Sequence, residues 1–250
     1  MNKQVAIVTG AGRGIGRGIA ENLIKKGYKV ALADILEDVI TVGESFGDEL
    51  TAKGYQLDIR NKDQVKSFME EVNSHFGSVN ILVNVAGTCN RKAFSEITLE
   101  DWDLDVATNM TGTFLMCQSA IYPYMKEAGY GRIVNIASVS GLTGGVGPVY
   151  EGGSGGRSGI AYAASKAGVI NMTKWIAREV GKYGITCNAI APGVIRTEMT
   201  KDAYYDFSNQ PIQKWGEPQD IATAVNFLVS EESSFVTGVC LNVDGGSTMV

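Results

Sequence analysis

Residues 4–34 of the chain, QVAIVTGAGRGIGRGIAENLIKKGYKVALAD, decide its fold. Residues 4–8 form a short apolar run that is typical of a strand. A helical pattern follows from about residue 15 to residue 26, where Gly27 ends it. Residues 29–33 form a second apolar run, which finishes on Asp34. The stretch predicts a strand, a glycine-rich turn, a helix and a second strand whose end carries a carboxylate.

The turn carries glycines at positions 10, 12, 14 and 16. Glycine lets the backbone turn sharply and leaves no Cβ between the backbone and a bound pyrophosphate. The N–H groups at the start of the following helix, together with the helix dipole, bind such an anion. The Asp34 carboxylate can accept hydrogen bonds from both hydroxyls of a ribose. It would repel a 2′-phosphate, and Ile35 beside it offers no compensating charge. We interpret the stretch as a dinucleotide-binding βαβ unit that prefers NAD.

The composition narrows the class of protein. A chain of 250 residues can bury a large core as one domain, and a net charge of −5 argues against a nucleic-acid-binding surface. We expect no signal peptide, because the chain runs at once into its first strand, and no apolar segment reaches the ~18 residues of a membrane span. The four cysteines and one histidine match no metal-binding pattern. These features predict a cytoplasmic protein without a metal, bound neither to nucleic acid nor to a membrane.

Apolar runs that are typical of strands alternate with helical patterns along the whole chain. This alternation predicts an α/β fold, a Rossmann-type doubly wound parallel sheet of about seven strands with helices on both faces. We expect one domain over residues 1–250. Because the carboxyl ends of parallel strands meet at one edge of the sheet, the residues at five predicted strand ends should converge on one site. These residues are Asp34, Asp58, Asn84, Ser138 and Pro192.

Tyr162 and Lys166 are four residues apart, so a helix places them on one face. Such a pair is by itself more often a surface pair, but the motifs that accompany it change this interpretation. In chain order they are TGAGRGIG at 9–16, NVAG at 84–87, Asn109, Ser138, YAASK at 162–166, and Pro192-Gly193 followed by Thr197. Together they resemble the classical short-chain dehydrogenase/reductase family over the whole length of the chain.

The resemblance implies roles for four catalytic residues. Tyr162 is the acid/base that exchanges a proton with the substrate oxygen, and Ser138 holds the same oxygen. A free phenol has a pKa near ~10. Lys166 and the oxidised nicotinamide are expected to lower the pKa of Tyr162 by stabilising its phenolate. Lys166 also bonds the nicotinamide ribose, and Asn109 holds a water for a proton relay from Lys166.

The resemblance also implies which residues contact the cofactor. They are Gly10, Arg13, Ile15, Gly16, Asp34, Asp58, Ile59, Asn84, Ala86, Gly87, Tyr162, Lys166, Pro192, Gly193, Ile195 and Thr197. Within this set residues 58–59 contact the adenine, and residues 192–197 hold the carboxamide. Arg13 could favour NADP, since a basic residue in that turn can help bind a 2′-phosphate. Repulsion by Asp34 is the larger effect, and we expect NAD as the cofactor.

The chain departs from the family in a glycine-rich insertion at about residues 141–159. The insertion lengthens the interval between Ser138 and Tyr162 to roughly twice its usual size. One interpretation is a lid that closes over the substrate, with Tyr150, Glu151 and Arg157 as contacts. The other is a surface insertion without a role.

Two further segments border the expected substrate site. Tyr204, Tyr205 and Phe207 either cover the nicotinamide or pack into a neighbouring subunit. Residues 90–92 (NRK), with Arg157, could favour an anionic or highly hydroxylated substrate, although adjacent basic residues are also typical of solvated surface.

These observations predict an NAD-dependent oxidoreductase that interconverts a secondary alcohol and a ketone. The expected substrate is a small polar molecule such as a polyol, a sugar derivative or a hydroxy acid. The alternative is a 3-oxoacyl-(acyl carrier protein) reductase, which normally uses NADPH, so Asp34 counts against it. A third class is a catalytically silent NAD-binding protein. Such proteins typically lose the tyrosine or the lysine, and both are present here. The resemblance implies a homotetramer.

Overall fold

The computed structural model of the protein describes residues 3–145, 158–202, 204–208 and 210–249. The described residues form a seven-stranded sheet in which every pair of neighbouring strands is parallel. The strands are β1 (Val5–Thr9), β2 (Lys29–Asp34), β3 (Ala52–Gln56), β4 (Ile81–Asn84), β5 (Gly131–Ile136), β6 (Ile185–Pro192) and β7 (Cys240–Val243). Their order across the sheet is β3-β2-β1-β4-β5-β6-β7, so the order reverses between β1 and β4. A ligand crevice forms at the carboxyl ends of the strands at such a point.

Helices cover both faces of the sheet, which confirms the predicted fold class. The helices are α1 (Gly14–Lys25), α2 (Val39–Glu44), α3 (Lys62–Phe76), α4 (Leu99–Val106), α5 (Thr113–Ala120), α6 (Lys126–Ala128), α7 (Ser140–Thr143), α8 (Ile160–Val180) and α9 (Pro218–Val229). Successive residues of β1 point to opposite faces. Val5 and Ile7 therefore join the core under α3, α5 and α8, whereas Ala6 and Val8 join the core under α1, α2 and α9. Burial on both faces explains why the strands are continuous apolar runs in the sequence.

Local sequence signals set the ends of the helices near the site. After α1 the chain turns at Gly27, whose φ of +91° lies in the left-handed region that favours glycine. The Asn61 side chain accepts hydrogen bonds from the N–H groups of Asp63 and Gln64, so it caps α3 as predicted. These ends hold the strands that follow at fixed positions beside the crevice.

The sequence predicts a long helical region from about residue 99 to residue 126 that Pro123 kinks or ends, and in the structure this region is interrupted twice. Helix α4 ends at Val106, and a π-helical turn over Ala107–Gly112 precedes α5. Tyr122 leaves helical geometry, with φ −115° and ψ 112°, because the residue before a proline is disfavoured in the helical region. The predicted kink at Pro123 is therefore confirmed. The π turn shifts Asn109 out of a regular helical position, as π turns near functional sites commonly do.

The sequence predicts a short third strand that ends at residues 57–59, but the observed strand ends earlier. β3 ends at Gln56. Asp58 does not continue the strand, because its N–H donates to Gln64 Oε1 and its carboxylate binds Arg60.

Most of the predicted insertion, including Tyr150, Glu151 and Arg157, lies outside the described residues. Within the described residues no helix combines the length and apolar character needed to cross a membrane. The same residues contain no group of three or more His, Cys, Asp or Glu side chains arranged to hold a metal ion.

Candidate active site

The glycine turn after β1 is shaped by close backbone contacts. Gly10 has a φ of +64°, and a Cβ on it would lie 2.9 Å from Ala86 Cα. A Cβ on Gly16 would lie 2.0 Å from the carbonyl oxygen of Gly10, a distance that no side chain tolerates. The backbone of the turn can approach a ligand because these positions are glycine.

The start of α1 offers its N–H groups to the crevice. Arg13 precedes the helix in an extended conformation, and no side chain caps the first turn. The first turn also carries no acidic residue. The positive end of the helix dipole therefore meets the glycine turn without a competing side-chain anion, as an anion-binding site requires.

Asp34 closes the end of the crevice at β2. Its Oδ2 accepts the N–H of Gly12 at 2.9 Å, and its Oδ1 accepts the N–H of Leu36 at 3.0 Å. A carboxylate has about four acceptor positions. The two backbone bonds fix the carboxylate and leave one acceptor position on each oxygen. This geometry suits the two hydroxyls of a ribose and disfavours a phosphate.

Two adjoining cavities lie along the carboxyl ends of the strands. The larger, of about 350 Å³, is lined by ten of the residues predicted for the cofactor: Gly10, Arg13, Ile15, Gly16, Asp34, Asp58, Ile59, Ala86, Gly87 and Thr197. The smaller, of about 140 Å³, is lined by Ser138, Tyr162, Lys166, Pro192, Gly193 and Ile195, together with Ile15, Gly87 and Thr197 from the first. We call the smaller one the reaction cavity. The shared residues join the two cavities into one site.

Two predicted site residues line neither cavity. Asn84 points into the core, where its Nδ2 donates to Asn135 Oδ1 at 2.9 Å and to Cys117 Sγ at 3.3 Å. Asn84 and Asn135 are register partners on β4 and β5, so both face the side of the sheet covered by α5. In this structure the Asn84 side chain therefore holds two strands together and does not reach the crevice.

Asn109 is fully buried behind the site. Its Oδ1 accepts the N–H of Thr88 at 2.9 Å, and its Nδ2 donates to Thr88 O at 2.9 Å and to Ser165 Oγ at 3.0 Å. A Cβ on Gly87 would lie 2.8 Å from Asn109 Oδ1 and 3.5 Å from Lys166 Nζ. Through Ser165, Asn109 contacts the residue directly before Lys166. The water relay predicted for Asn109 stays a prediction.

Ser138, Tyr162 and Lys166 meet in the reaction cavity. Ser138 lies just past the end of β5, and Tyr162 and Lys166 lie one turn apart on α8. Burial raises the pKa of the Tyr162 phenol, and the neighbouring Ser138 side chain acts against that rise. Lys166 Nζ lies 5.6 Å from the centre of the Tyr162 ring and donates to the carbonyl oxygen of Ile136 at 2.7 Å. The predicted convergence of these three side chains is found in the structure.

The electrostatics of Tyr162 differ from the expectation. Burial raises the pKa of Tyr162 well above its usual value, and the charge of Asp105 acts in the same direction. Burial also lowers the pKa of the Lys166 ammonium to about 8, so the lysine keeps most of its charge at neutral pH but loses it well before the phenol titrates. The protein by itself therefore keeps the Tyr162 phenol protonated at neutral pH.

The sequence interpretation missed several residues of the reaction cavity, among them Cys89 and Ser158. Cys89 lines it beside Tyr162, and burial raises the pKa of its thiol, so it is a neutral group there. Ser158 hydrogen-bonds through its Oγ to Ser140 Oγ at 2.9 Å across the cavity wall. Their positions in the sequence could have indicated a place at the site: Cys89 lies just after the NVAG motif, and Ser158 lies just before α8.

Known proteins resemble this chain over nearly its whole length. Residues 10–248 match the model of a family described as enoyl-(acyl carrier protein) reductase. The 3-oxoacyl-(acyl-carrier-protein) reductase FabG of Vibrio harveyi is 37% identical and covers 99% of this chain and 98% of its own. The chain belongs to the classical short-chain dehydrogenase/reductase family.

Two other members of the short-chain dehydrogenase/reductase family show the range of its activities. The (2S)-[(R)-hydroxy(phenyl)methyl]succinyl-CoA dehydrogenase subunit BbsD of Thauera aromatica is 37% identical over 100% of this chain and 98% of its own. The ligand-free structure of the aldohexose dehydrogenase AldT of Thermoplasma acidophilum superposes with a TM-score of 0.82. It is 32% identical and covers 98% of this chain and 94% of AldT. This family member is thus an oxidoreductase that uses a nicotinamide dinucleotide.

The site fits that cofactor. A Cβ at Gly10 or Gly16 would fill the turn that approaches a pyrophosphate, and the uncapped start of α1 faces it. Asp34 would meet the adenosine ribose and Lys166 the nicotinamide ribose. When bound, the nicotinamide would supply or accept the hydride. The proton exchange expected at Tyr162 stays a prediction.

Proposed function

We propose that this protein is an NAD(H)-dependent oxidoreductase that interconverts 3-oxoacyl and 3-hydroxyacyl thioesters. The names of FabG and BbsD both describe acyl groups carried by a thioester, with an oxo or hydroxy group. This substrate class replaces the small polar alcohol favoured by the sequence interpretation. The observation that carries the cofactor half of the proposal is Asp34, whose two oxygens are fixed by Gly12 and Leu36 at the ribose position.

The residues of the reaction cavity support a proton transfer to a ketone. The Tyr162 phenol donates its proton to the carbonyl oxygen, and the Ser138 hydroxyl donates a hydrogen bond to the same oxygen. Burial raises the pKa of Tyr162 and so keeps the phenol protonated at neutral pH, which is the form that reduction needs. The enzyme at rest therefore holds the proton that a reduction would consume.

The positive groups near the adenosine end do not remove the preference for NAD(H). Arg60 is held by Asp58, with Nη2 2.7 Å from Oδ2 and Nε 2.9 Å from Oδ1, so its charge is already paired. Hydrogen bonding to Lys201 lowers the pKa of Glu198, and the charge of Arg13 acts in the same direction. The carboxylate of Asp34 would repel a 2′-phosphate at the expected ribose position.

Initial rates test the proposal directly. The purified protein should oxidise NADH with acetoacetyl-CoA, with kcat/KM for NADH at least tenfold above that for NADPH. Activity with NADPH alone would overturn the proposed preference for NAD(H).

A second candidate function, favoured by the likeness to AldT, is the oxidation of a sugar or polyol. Turnover of aldohexoses or polyols with NAD, and none of the thioester, would establish the second candidate instead.

The proposal includes a homotetramer, and large apolar side chains exposed on two helices support it. Helices α5 and α8 expose Phe114 (43%) and Trp175 (69%), which are large apolar side chains for a surface facing water. Sedimentation velocity should give a species of four chains. A single-chain species at micromolar concentration would contradict the assembly and leave the proposed reaction untouched.

A further inference from the structure

Asp105 is a buried carboxylate that takes no direct part in the proposed proton transfer. It lies in the last turn of α4, is 1% exposed, and is absent from the described lining of both cavities. A carboxylate is costly to bury unless it is hydrogen-bonded, and an apolar side chain would fill such a position at lower cost. The group therefore points to a role beyond packing.

Both carboxylate oxygens of Asp105 bind the segment that follows the NVAG motif. Oδ1 accepts the hydroxyl of Thr88 at 2.7 Å, and Oδ2 accepts the N–H of Asn90 at 3.1 Å. Asn90 also donates through its Nδ2 to Asp101 Oδ1 at 2.8 Å, one turn earlier on α4. These three hydrogen bonds fix the segment over residues 88–91 to α4.

One route of hydrogen bonds leads from Asp105 to the start of α8. The carbonyl oxygen of Asn90 accepts the N–H of Gly159 at 2.7 Å, and Gly159 O accepts the N–H of Ala163 at 3.1 Å. A Cβ on Gly159, the N-cap residue of α8, would lie 2.4 Å from Asn90 O, so the two backbones meet without room for a side chain. Because Tyr162 lies in the first turn of α8, the position of Asn90 sets the position of the phenol.

A second route from Asp105 reaches α8 further along the helix. Thr88, held by Asp105 through its hydroxyl, exchanges two hydrogen bonds with the Asn109 side chain, both at 2.9 Å. Asn109 Nδ2 also donates to Ser165 Oγ at 3.0 Å, and the next residue is Lys166. The two routes therefore hold α8 on either side of the catalytic tyrosine.

The charge of Asp105 also acts on the reacting groups. Burial is the main cause of the raised pKa of Tyr162, and the charge of Asp105 adds to the rise. Burial lowers the pKa of Lys166 to about 8, whereas Asp105 acts against that fall. A neutral side chain at position 105 should therefore lower the pKa of both groups. The described groups that act on this pair are Ser138 after β5, Cys89 and Arg91 after β4, and Asp105 on α4.

We propose that Asp105 is a positioning residue of the reaction, which holds residues 88–91 against α4 and through them keeps Tyr162 and Lys166 in place. The inference rests on the proposed function, since that reaction is what the placement serves. Asp105 acts through Thr88 and Asn90 and does not touch the reactants. A displacement of ~1 Å of a reacting group can lower the rate of a reaction about 100-fold, so such a support has a large effect on turnover.

Steady-state kinetics with NADH and acetoacetyl-CoA test this role. Asp105→Val removes both acceptors and should lower kcat roughly 10- to 100-fold, with a far smaller change in the KM for acetoacetyl-CoA. Asp105→Asn keeps an acceptor for Asn90 and offers a donor to Thr88, so its kcat at the optimum pH should return to within about threefold of wild type. Asp103 is exposed on the same helix, and the control Asp103→Asn should match wild type.

The pH profile separates this role from a purely structural one. In Asp105→Asn the pH midpoint above which NAD oxidises 3-hydroxybutyryl-CoA should move to lower pH, because the charge that raises the pKa of Tyr162 is gone. Thr88→Val breaks one hydrogen bond and keeps the charge, so it should lower kcat without moving the midpoint. An unmoved midpoint in Asp105→Asn, or a kcat for Asp105→Val within threefold of wild type, would overturn the proposal. Asp105→Asn and Thr88→Val decide the matter if Asp105→Val does not fold.

Hydrogen exchange distinguishes failure of this inference from failure of the proposed function. If the wild type turns over neither thioester, the proposed function is wrong, and the backbone amides still report on Asp105. Exchange followed by mass spectrometry in peptides over residues 86–92 and 159–166 should speed up about tenfold or more in Asp105→Val and stay unchanged in Asp103→Asn. Wild-type protection of both peptides in Asp105→Val would show that the segment does not depend on Asp105, which would overturn the inference.

Discussion

The buried ammonium of Lys166 should make the stability of this enzyme depend on pH. Lys166 is 4% exposed, and burial lowers its pKa from 10.5 to about 8. Below pH 8 the lysine is protonated in both the folded and the unfolded chain. Between pH 8 and 10.5 the folded chain has released the proton while the unfolded chain still binds it, so the free energy of unfolding rises with pH.

Replacing Lys166 with methionine removes this dependence and keeps a chain of similar length. From the two pKa values, the wild type should gain about 2 kcal/mol relative to Lys166→Met as the pH is raised from 7 to 9.5. The lost hydrogen bond to Ile136 O adds an offset that does not depend on pH. The pH-dependent part of the difference therefore isolates the cost of burying the charge.

Urea unfolding followed by tryptophan fluorescence, at a fixed protein concentration and several pH values, measures this difference. Lys66→Met is the matched control, because the Lys66 side chain is 75% exposed and in water in both states. Its difference from wild type should stay flat across the range. If the Lys166→Met difference also changes by less than ~0.5 kcal/mol, Lys166 is not buried as an ammonium, and the electrostatics derived for the site are wrong.

Three further substitutions test the site. Tyr162→Phe should lower turnover by roughly 10²- to 10⁴-fold while the Kd for NAD, measured by fluorescence titration, changes little, because one proton-transferring oxygen is lost; turnover within tenfold of wild type would refute its role. Asp34→Ala combined with Ile35→Arg should shift the ratio of kcat/KM toward NADP, and an unchanged ratio would show that Asp34 does not face the ribose. Gly16→Ala should abolish NAD binding in the same titration, because its Cβ would lie 2.0 Å from Gly10 O; wild-type affinity would mean that the turn adjusts freely.

Much of the fold followed from local patterns. The glycines between two apolar runs predicted the turn and α1, and Gly27 and Asn61 set helix ends where expected. These features depend on residues within one or two turns of each other, so a linear sequence contains them. The sequence also predicts a helix over residues 218–229, and α9 has these bounds.

Other features depend on neighbours that are distant in the chain. Side chains alternate between the two faces of β4, and this alternation places the Asn84 side chain in the core. There it hydrogen-bonds to Cys117 and Asn135. The predicted helix at 99–126 is broken by the π turn that contains Asn109, whose partners are Thr88 and Ser165. No local pattern specified these contacts, and the motif resemblance named the residues without their orientation.

The sequence by itself determined the sheet and the glycine turn with Asp34, because these follow from periodicity and from strand ends that share one edge. The meeting of Ser138, Tyr162 and Lys166 was implied by the family resemblance. The tertiary structure decided the electrostatics. Burial by the surrounding elements raises the pKa of Tyr162 and lowers that of Lys166, opposite to what the pair in isolation would predict. The tertiary structure also placed Arg91 in the reaction cavity and Lys92 at the surface. The desolvation and the charge around a group depend on every element packed against it, and these elements come from distant parts of the chain.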